Sequence, residues 1–303
     1  MATLANVLSL SALNALADAH PDEVDQPVAP LRIGSRTYDT DSTPVIMGVV
    51  NLSRDSTYRE SIAVSTASAV RKGRVMAAQG AHFVDIGAEC SDYKAARVGA
   101  DEQIAALVPV IEQLAGDGID VSVETYELPV VRACLKAGAT VLNLSGAANQ
   151  DEIYALAAEF NATVIICHVT ADNVREVTHV TLDADPFPGI RDALAERIAL
   201  ARAVGVDRIA IDPAIGFGYG NLTTPAVRIQ HQTHVLLNGF RLRSLGVPIC
   251  NALPHAFDLF EDQFRTAEGF FAVLASFGGT GIFRVHEVPH VAAVLRAMRA
   301  LNP

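Results

Sequence analysis

From residue 44 onward the chain alternates between two hydrophobic rhythms. Short, nearly continuous apolar runs at 45–51, 82–88, 121–125, 140–145, 163–168, 208–212, 248–253 and 282–286 are rich in Val and Ile. Runs of this kind predict strands buried on both faces, the signature of a parallel sheet. Between and after them, at 65–79, 101–114, 128–137, 150–160, 190–204, 225–245, 264–277 and 288–301, apolar residues recur every three or four positions, predicting amphipathic helices. Gly80, Gly138, Gly205 and Gly246 sit where helix caps are needed. Eight such β/α units in about 250 residues predict an α/β fold, a closed (β/α)8 TIM barrel over 44–303. A doubly wound open sheet is the alternative. It calls for a phosphate-binding glycine fingerprint after its first strand, and Val49-Val50-Asn51-Leu52-Ser53 has none.

Residues 1–43 form an N-terminal extension. The first twenty are apolar but carry Asp18 and lack a basic start, which argues against a secretory signal. The remainder, with several Pro and Asp, reads as an arm or linker. Covering the barrel's bottom, swapping to a partner and staying loose are all compatible with it.

Composition narrows the function classes. The net charge of −11 over 303 residues speaks against nucleic acid or an anionic membrane as a partner. No apolar stretch approaches the ~18 residues of a spanning helix. Cys90, Cys134, Cys167 and Cys250 lie far apart without metal or redox spacing, as expected of reduced thiols in a cytoplasmic protein. The three lysines, Lys72, Lys94 and Lys136, fall in helices or loops. A Schiff-base aldolase, which needs a strand-end lysine, is thereby disfavoured.

Every predicted strand ends in a polar or ionisable residue: Asn51, Glu89, Glu124, Asn143, His168, Asp212, Asn251 followed by His255, and Arg284 with His286. Barrel active sites gather at these ends. Asp212 is the most informative, because an apolar run delivers it directly into Pro-Ala-Ile-Gly-Phe-Gly. It reads either as a strand-stopping turn or as a buried carboxylate awaiting a donor-rich ligand. Glu89 reads as an acceptor for loop backbone, and His168 as a core residue or a ligand contact. Cys90 and Cys167 carry no sign of nucleophile activation. His231 and His234 fit a solvated or subunit-contact helix face better than a metal pair.

Six segments together resemble the dihydropteroate synthase family, within the pterin-binding barrels. They are Met47-Gly-Val-Val-Asn51-Leu-Ser-Arg-Asp55-Ser56, Ala81 to Glu89, Val121-Ser-Val-Glu124-Thr125-Tyr126, Ala137 to Asn143, Asp212 to Gly218, and Arg284-Val-His286-Glu-Val. The resemblance implies a barrel that holds a pterin at its strand ends, with a diphosphate nearer the mouth. Loss of that diphosphate leaves an electrophilic methylene for an amine to attack. It further implies Asp212, Asn143, Glu124 and His255 for the pterin, and Asn51, Ser91, Arg284 and His286 for the diphosphate. Asn51 would also meet Mg2+. A catalytic set of His255, Asn51, Arg284 and His286 follows, as does a homodimer through late barrel helices. Part of the aromatic run Phe257, Phe260, Phe264, Phe270 and Phe271 is expected to bury against a second subunit.

The departures shape the expectation. Glu124 stands where the family has aspartate, and it reads alternatively as a cap for the helix beginning at Leu128. The family's Ser-Arg-Lys is replaced by Asn251-Ala-Leu253-Pro254-His255, leaving His255 as the substitute contact and candidate acid or base. Asp92 replaces a cation beside the expected diphosphate, a repulsion of about 1 kcal/mol that Lys94 is placed to offset. Arg54 and Thr57-Tyr58 rewrite the first loop. These changes predict a divergent transferase, acting on a pterin or pterin-like diphosphate and an amine or other nucleophile outside the housekeeping folate step. A catalytically inactive binding or regulatory paralogue is the first alternative. A pterin-dependent methyltransferase is the second, weakened by the Arg284/His286 pair and by the lack of a corrinoid module.

Overall fold

The computed structural model describes residues 8–177, 179, 185–216, 222 and 224–301. The chain opens with helix α1 (Leu10–Ala19), where the Ser9 hydroxyl accepts the Ala12 N–H as an N-cap. A hairpin follows, β1 (Leu31–Ile33) paired antiparallel with β2 (Arg36–Tyr38). Gly34 takes φ +54° at its turn, a backbone that glycine adopts without strain.

The eight apolar runs form eight strands: β3 (Val45–Asn51), β4 (Phe83–Gly87), β5 (Val121–Glu124), β6 (Val141–Leu144), β7 (Thr163–Cys167), β8 (Ile209–Asp212), β9 (Cys250–Ala252) and β10 (Ile282–Val285). All pair in parallel in the order β8-β7-β6-β5-β4-β3-β10-β9. A bridge from Ile211 to Ile249, with the Ile211 N–H donating to the Pro248 carbonyl at 2.9 Å, joins the two ends into a barrel. The surrounding helices are α2 (Thr66–Ala78), α3 (Ala100–Gly116), α4 (Leu128–Ala137), α5 (Gln150–Glu159), α6 (Phe187–Ala203), α7 (Pro225–Asn238), α8 (Phe257–Phe260), α9 (Ala267–Phe277) and α10 (Val288–Leu301). This is the expected (β/α)8 barrel.

Two helix expectations are corrected. The predicted helix at 225–245 stops at Asn238 and tightens into a 3-10 turn over Gly239–Leu245, with the Gly239 N–H donating to the Leu236 carbonyl. The cause is close approach to α9: a Cβ on Gly278 would fall 1.7 Å from the Leu236 carbonyl oxygen. The helix predicted from 264 begins at Ala267, after α8 and a 3-10 turn over Glu261–Thr266 whose first residue has φ +48°.

Side chains alternate along each strand, and the register assigns them to two inward layers. The lower layer is apolar, with Val45, Met47, Phe83, Val141, Ile165, Ala210, Cys250 and Ile282 packed on one another. Leu31 and Ile33 of the hairpin complete it at 2% and 1% exposure. The stretch expected as an arm thus contributes the barrel's floor. The upper layer is polar and includes Asp85, Ser122, Glu124, Asn143, Asp212 and Arg284. Outward-facing strand residues pack against the helices in a second, larger core.

The four cysteines are unpaired. His234 on α7 lies edge-on to Phe187 of α6, with ring centroids 6.2 Å apart, and both it and His231 are half-buried rather than fully solvated. Among the described residues no helix is long and apolar enough to cross a membrane.

Candidate active site

The polar layer opens into a cavity of about 110 Å³ at the strand ends, room for several waters. Asn51, Ser91, Glu124, Asn143, Asp212, His255, Arg284 and His286 all line it. Two residues of the strand-end pattern do not. Asn251 faces outward, fully buried, and donates to the Thr280 hydroxyl at 2.8 Å. His168 stands outside the cavity lining and donates its backbone N–H to the Asp212 carbonyl. Gly218 of the Asp212 motif lies outside the described residues.

At the base of the cavity, Arg284 on β10 is shared by two carboxylates. Its Nε donates to Asp85 at 2.8 Å and its Nη2 to Glu124 at 2.6 Å. Asp85, wholly buried, also accepts from the Ser122 hydroxyl at 2.6 Å and the Asn143 Nδ2 at 3.3 Å. Burial opposes the guanidinium charge, but Glu124 and Asp85 outweigh it and hold the group above its ordinary range. Burial raises the Glu124 carboxyl against the opposing pull of Arg284. Arg284 is thus tied down within the barrel through Nε and Nη2, while it still lines the cavity. Glu124 holds the arginine rather than capping α4, which has no side-chain cap. Asn143 has an amide hydrogen committed to Asp85.

Asp212, at the end of β8, is inward, 6% exposed and, among the described residues, bonded to no cation. Its Oδ1 accepts the Ala214 N–H at 2.6 Å. Burial, with Glu124 and Asp85 adding to it, raises the carboxyl to about 6 against the pull of the Ala214 N–H and Arg284. A carboxylate desolvated this far without a counter-ion is poised for a ligand that brings N–H donors.

The mouth is built around Tyr58, which is 2% exposed. Its ring stacks on His286 at 4.4 Å and 19°, lies 4.8 Å from His255, and meets Phe257 and Phe264 at 6.0 and 5.8 Å. Its hydroxyl donates to Glu287 at 2.5 Å. Much of the aromatic run expected at a subunit face is thus used within the chain: Phe257 and Phe264 frame this cluster, and Phe271 is 1% exposed. Phe270, at 44%, keeps an open face.

Behind the histidines stands Glu268 of α9, 1% exposed. Its carboxylate accepts the backbone N–H groups of His286 and Glu287 and faces the His286 Nδ1 at 2.9 Å. Burial opposes its charge, but the two histidines hold it well below the usual carboxylate range. Burial lowers His286 to about 4, so the ring is neutral at pH 7. With its proton on Nδ1 toward Glu268, His286 turns an accepting Nε2 elsewhere. In this form the ring nitrogen turned away from Glu268 is an acceptor, whereas a diphosphate oxygen calls for a donor.

Glu89 accepts the Val98 N–H at 2.9 Å and the Tyr126 hydroxyl, tying down its loop. Lys94 is exposed and sits 5.3 Å over the Tyr93 ring, so it does not offset Asp92 within the cavity. Among the described residues lining the cavity, Arg284 is the sole Arg or Lys, against Glu89, Glu124 and Asp212.

Mg2+ is implied by the family, and the donor chemistry admits one protein ligand for it. Asn51 donates Nδ2 to the hydroxyls of Ser56 and Ser61 at 2.9 and 2.6 Å. Both amide hydrogens are thereby occupied, leaving Oδ1 as an accepting oxygen. A single amide oxygen suits an ion that keeps several waters and takes substrate phosphates as its other ligands.

Sequence reasoning did not assign roles to Asp85, Tyr58 or Glu268. An acidic residue inside the apolar run 83–87 was the available signal for Asp85.

Comparison with known proteins places this geometry. The sequence profile of the pterin binding enzyme family matches residues 47–286. A dihydropteroate synthase of Synechocystis sp. is 28% identical over 284 residues, covering 90% of this chain and 95% of that protein. One from Streptococcus pyogenes is 30% identical over 268 residues, covering 85% and 95%. Among solved structures, the Xanthomonas albilineans dihydropteroate synthase with 4-aminobenzoic acid superposes with TM-score 0.74 at 28% identity, covering 90% of this chain and 98% of that one. The Thermus thermophilus enzyme in complex with 6HMPPP superposes with TM-score 0.73 at 25% identity, covering 90% and 100%. With the profile spanning most of the barrel and both polar and apolar layers accounted for, the chain belongs to the pterin-binding enzyme family, as a divergent relative of the dihydropteroate synthases.

Proposed function

We propose that this chain is a transferase that seats a pterin or pterin-like heterocycle in the barrel mouth and passes its methylene carbon to an amine or other nucleophile. The observation that carries the reading is Asp212. Among the described residues its buried carboxylate has no cation and one backbone donor, a vacancy that suits the adjacent N–H groups of an aminopyrimidinone edge. The carbonyl oxygen of Asn143 supports it as an acceptor beside that edge. His286, neutral and stacked on Tyr58, offers Nε2 as an acceptor for a proton released by the attacking nucleophile. His255, beside it, is the second acid–base candidate.

The leaving group is a diphosphate in this reading. Asn51 and Ser91 would meet it from the first and second loops, and Mg2+, held in part by Asn51 Oδ1, supplies charge neutralisation when bound. A bound metal is needed because the cavity's arginine is engaged with Asp85 and Glu124. The loop rewritten at Ala252, Leu253 and His255 supports an acceptor different from that of the relatives, in a specialised pathway. Late barrel helices, with Phe270 exposed on α9, are the proposed homodimer face.

The test is calorimetry with hydroxymethyl-dihydropterin diphosphate, with and without Mg2+. Saturable binding that Asp212→Ala abolishes is the expected result; absence of heat with any pterin overturns the reading. Diphosphate release measured across a panel of amines then separates a turning-over enzyme from a binding paralogue. The engagement of Arg284 favours that second reading.

A further inference from the structure

The groups beside the cavity that the proposed transfer leaves unexplained are His255 Nδ1 and the buried charge of Glu268. We propose that His255, Glu268 and His286 form a binding site for a borderline divalent metal of the Zn2+ type, distinct from the oxygen-ligated Mg2+ position at Asn51.

Three observations carry this. One ligand atom from each residue, an imidazole nitrogen or a carboxylate oxygen, falls within 4.8 Å of the other two. Glu268 Oε1 lies 2.9 Å from His286 Nδ1 and 3.6 Å from His255 Nδ1. With ligand bonds of about 2.0–2.2 Å, tetrahedral sites set neighbouring donors roughly 3.3 Å apart, and the two distances straddle that spacing. Second, His255 Nδ1 is buried and has no hydrogen-bond partner among the described residues, since 3.6 Å is beyond reach of one. An orphaned imidazole nitrogen facing a carboxylate is costly unless something sits between them. Third, the carboxylate is held by its other oxygen. Oε2 accepts the His286 and Glu287 backbone N–H groups at 2.9 and 2.8 Å, and Oε1, which shares the His286 N–H at 3.0 Å, faces both rings. Such support of a ligating carboxylate is what metal sites require of their surroundings.

Two nitrogens and one oxygen select Zn2+ or Co2+ over Mg2+. Binding moves the His286 proton from Nδ1, which becomes a ligand, to Nε2. Both histidines line the cavity, so a water or a substrate atom would complete the coordination, as in three-ligand zinc sites.

The test uses tag-free full-length protein stripped with a chelator and titrated by calorimetry with Zn2+ alone, without pterin. Co2+ is followed in parallel by its visible d–d spectrum. The expected result is one equivalent per chain, an intense low-coordination cobalt band, and no displacement by excess Mg2+. His255→Ala should weaken binding by more than about 100-fold, beyond the upper end of what an outer partner contributes, and His231→Ala should leave it unchanged. Glu268→Gln should also abolish the band. If that variant fails to fold by circular dichroism, His255→Ala decides the matter, because its ring is partly exposed and its Nδ1 bonds to nothing. No saturable Zn2+ binding, or binding undiminished in His255→Ala, overturns the proposal. Because no pterin is present, either result is independent of the transferase reading.

Discussion

Replacing Asp212 with asparagine should stabilise the ligand-free protein while removing its proposed function. The carboxyl sits at about 6 in the fold against an ordinary 3.8. At 1.36 kcal/mol per pH unit, the difference amounts to roughly 3 kcal/mol. The sign follows from the direction. A raised acid favours folding in its protonated form, so its contribution is full below pH 3.8, declines through the interval up to about 6, and is gone at pH 7. Asparagine is neutral throughout and keeps an oxygen for the Ala214 N–H. Urea unfolding followed by circular dichroism should therefore show Asp212→Asn more stable than wild type by about 1–3 kcal/mol at pH 7.5. The gap should narrow near pH 5 and close below pH 4. A variant equal to or weaker than wild type at pH 7.5 would refute the argument, because it would mean the carboxylate is solvated or paired in the fold. A pterin-type ligand should reverse the order, stabilising only wild type.

Removing Arg284 strands Asp85 and Glu124. Arg284→Met should lose about 3–5 kcal/mol at pH 7.5 and recover part of it near pH 5, where the stranded carboxyls take up protons; a pH-independent loss in urea titrations would contradict this. Leu31→Ala opens the apolar floor at a residue 2% exposed and should cost about 2–5 kcal/mol, read as a lower urea midpoint. A change below about 0.5 kcal/mol would show that the hairpin is peripheral to stability.

The barrel was legible because a strand covered on both faces must be mostly apolar, and each of the eight runs from 45–51 to 282–286 is nearly so. The cavity was legible for a related reason: polar residues at the ends of such runs have few places to point. Eight residues singled out from the sequence share one cavity lining. What stayed hidden depends on separations that no local pattern records. Arg284 meets Asp85 across 199 positions, and Glu124 across 160, so motifs read as ligand-binding also pair with one another. Glu268 begins an amphipathic helix like many others, and its role appears only when β10 delivers His286 to it. Asn251 misled because strand ends reveal polarity but not parity: one residue further along β9, Ala252 faces in. The break of the 225–245 helix rests on a contact between Leu236 and Gly278, which periodicity does not encode.

The sharing of one guanidinium between two acids gives the barrel mouth an electrical bias. Guests that bring hydrogens on nitrogen, or positive charge, move with the field, whereas a bare anion moves against it. Discrimination among small metabolites is then set first by sign and only afterwards by outline. A protein so biased can turn away the abundant free phosphates of its surroundings without a gate.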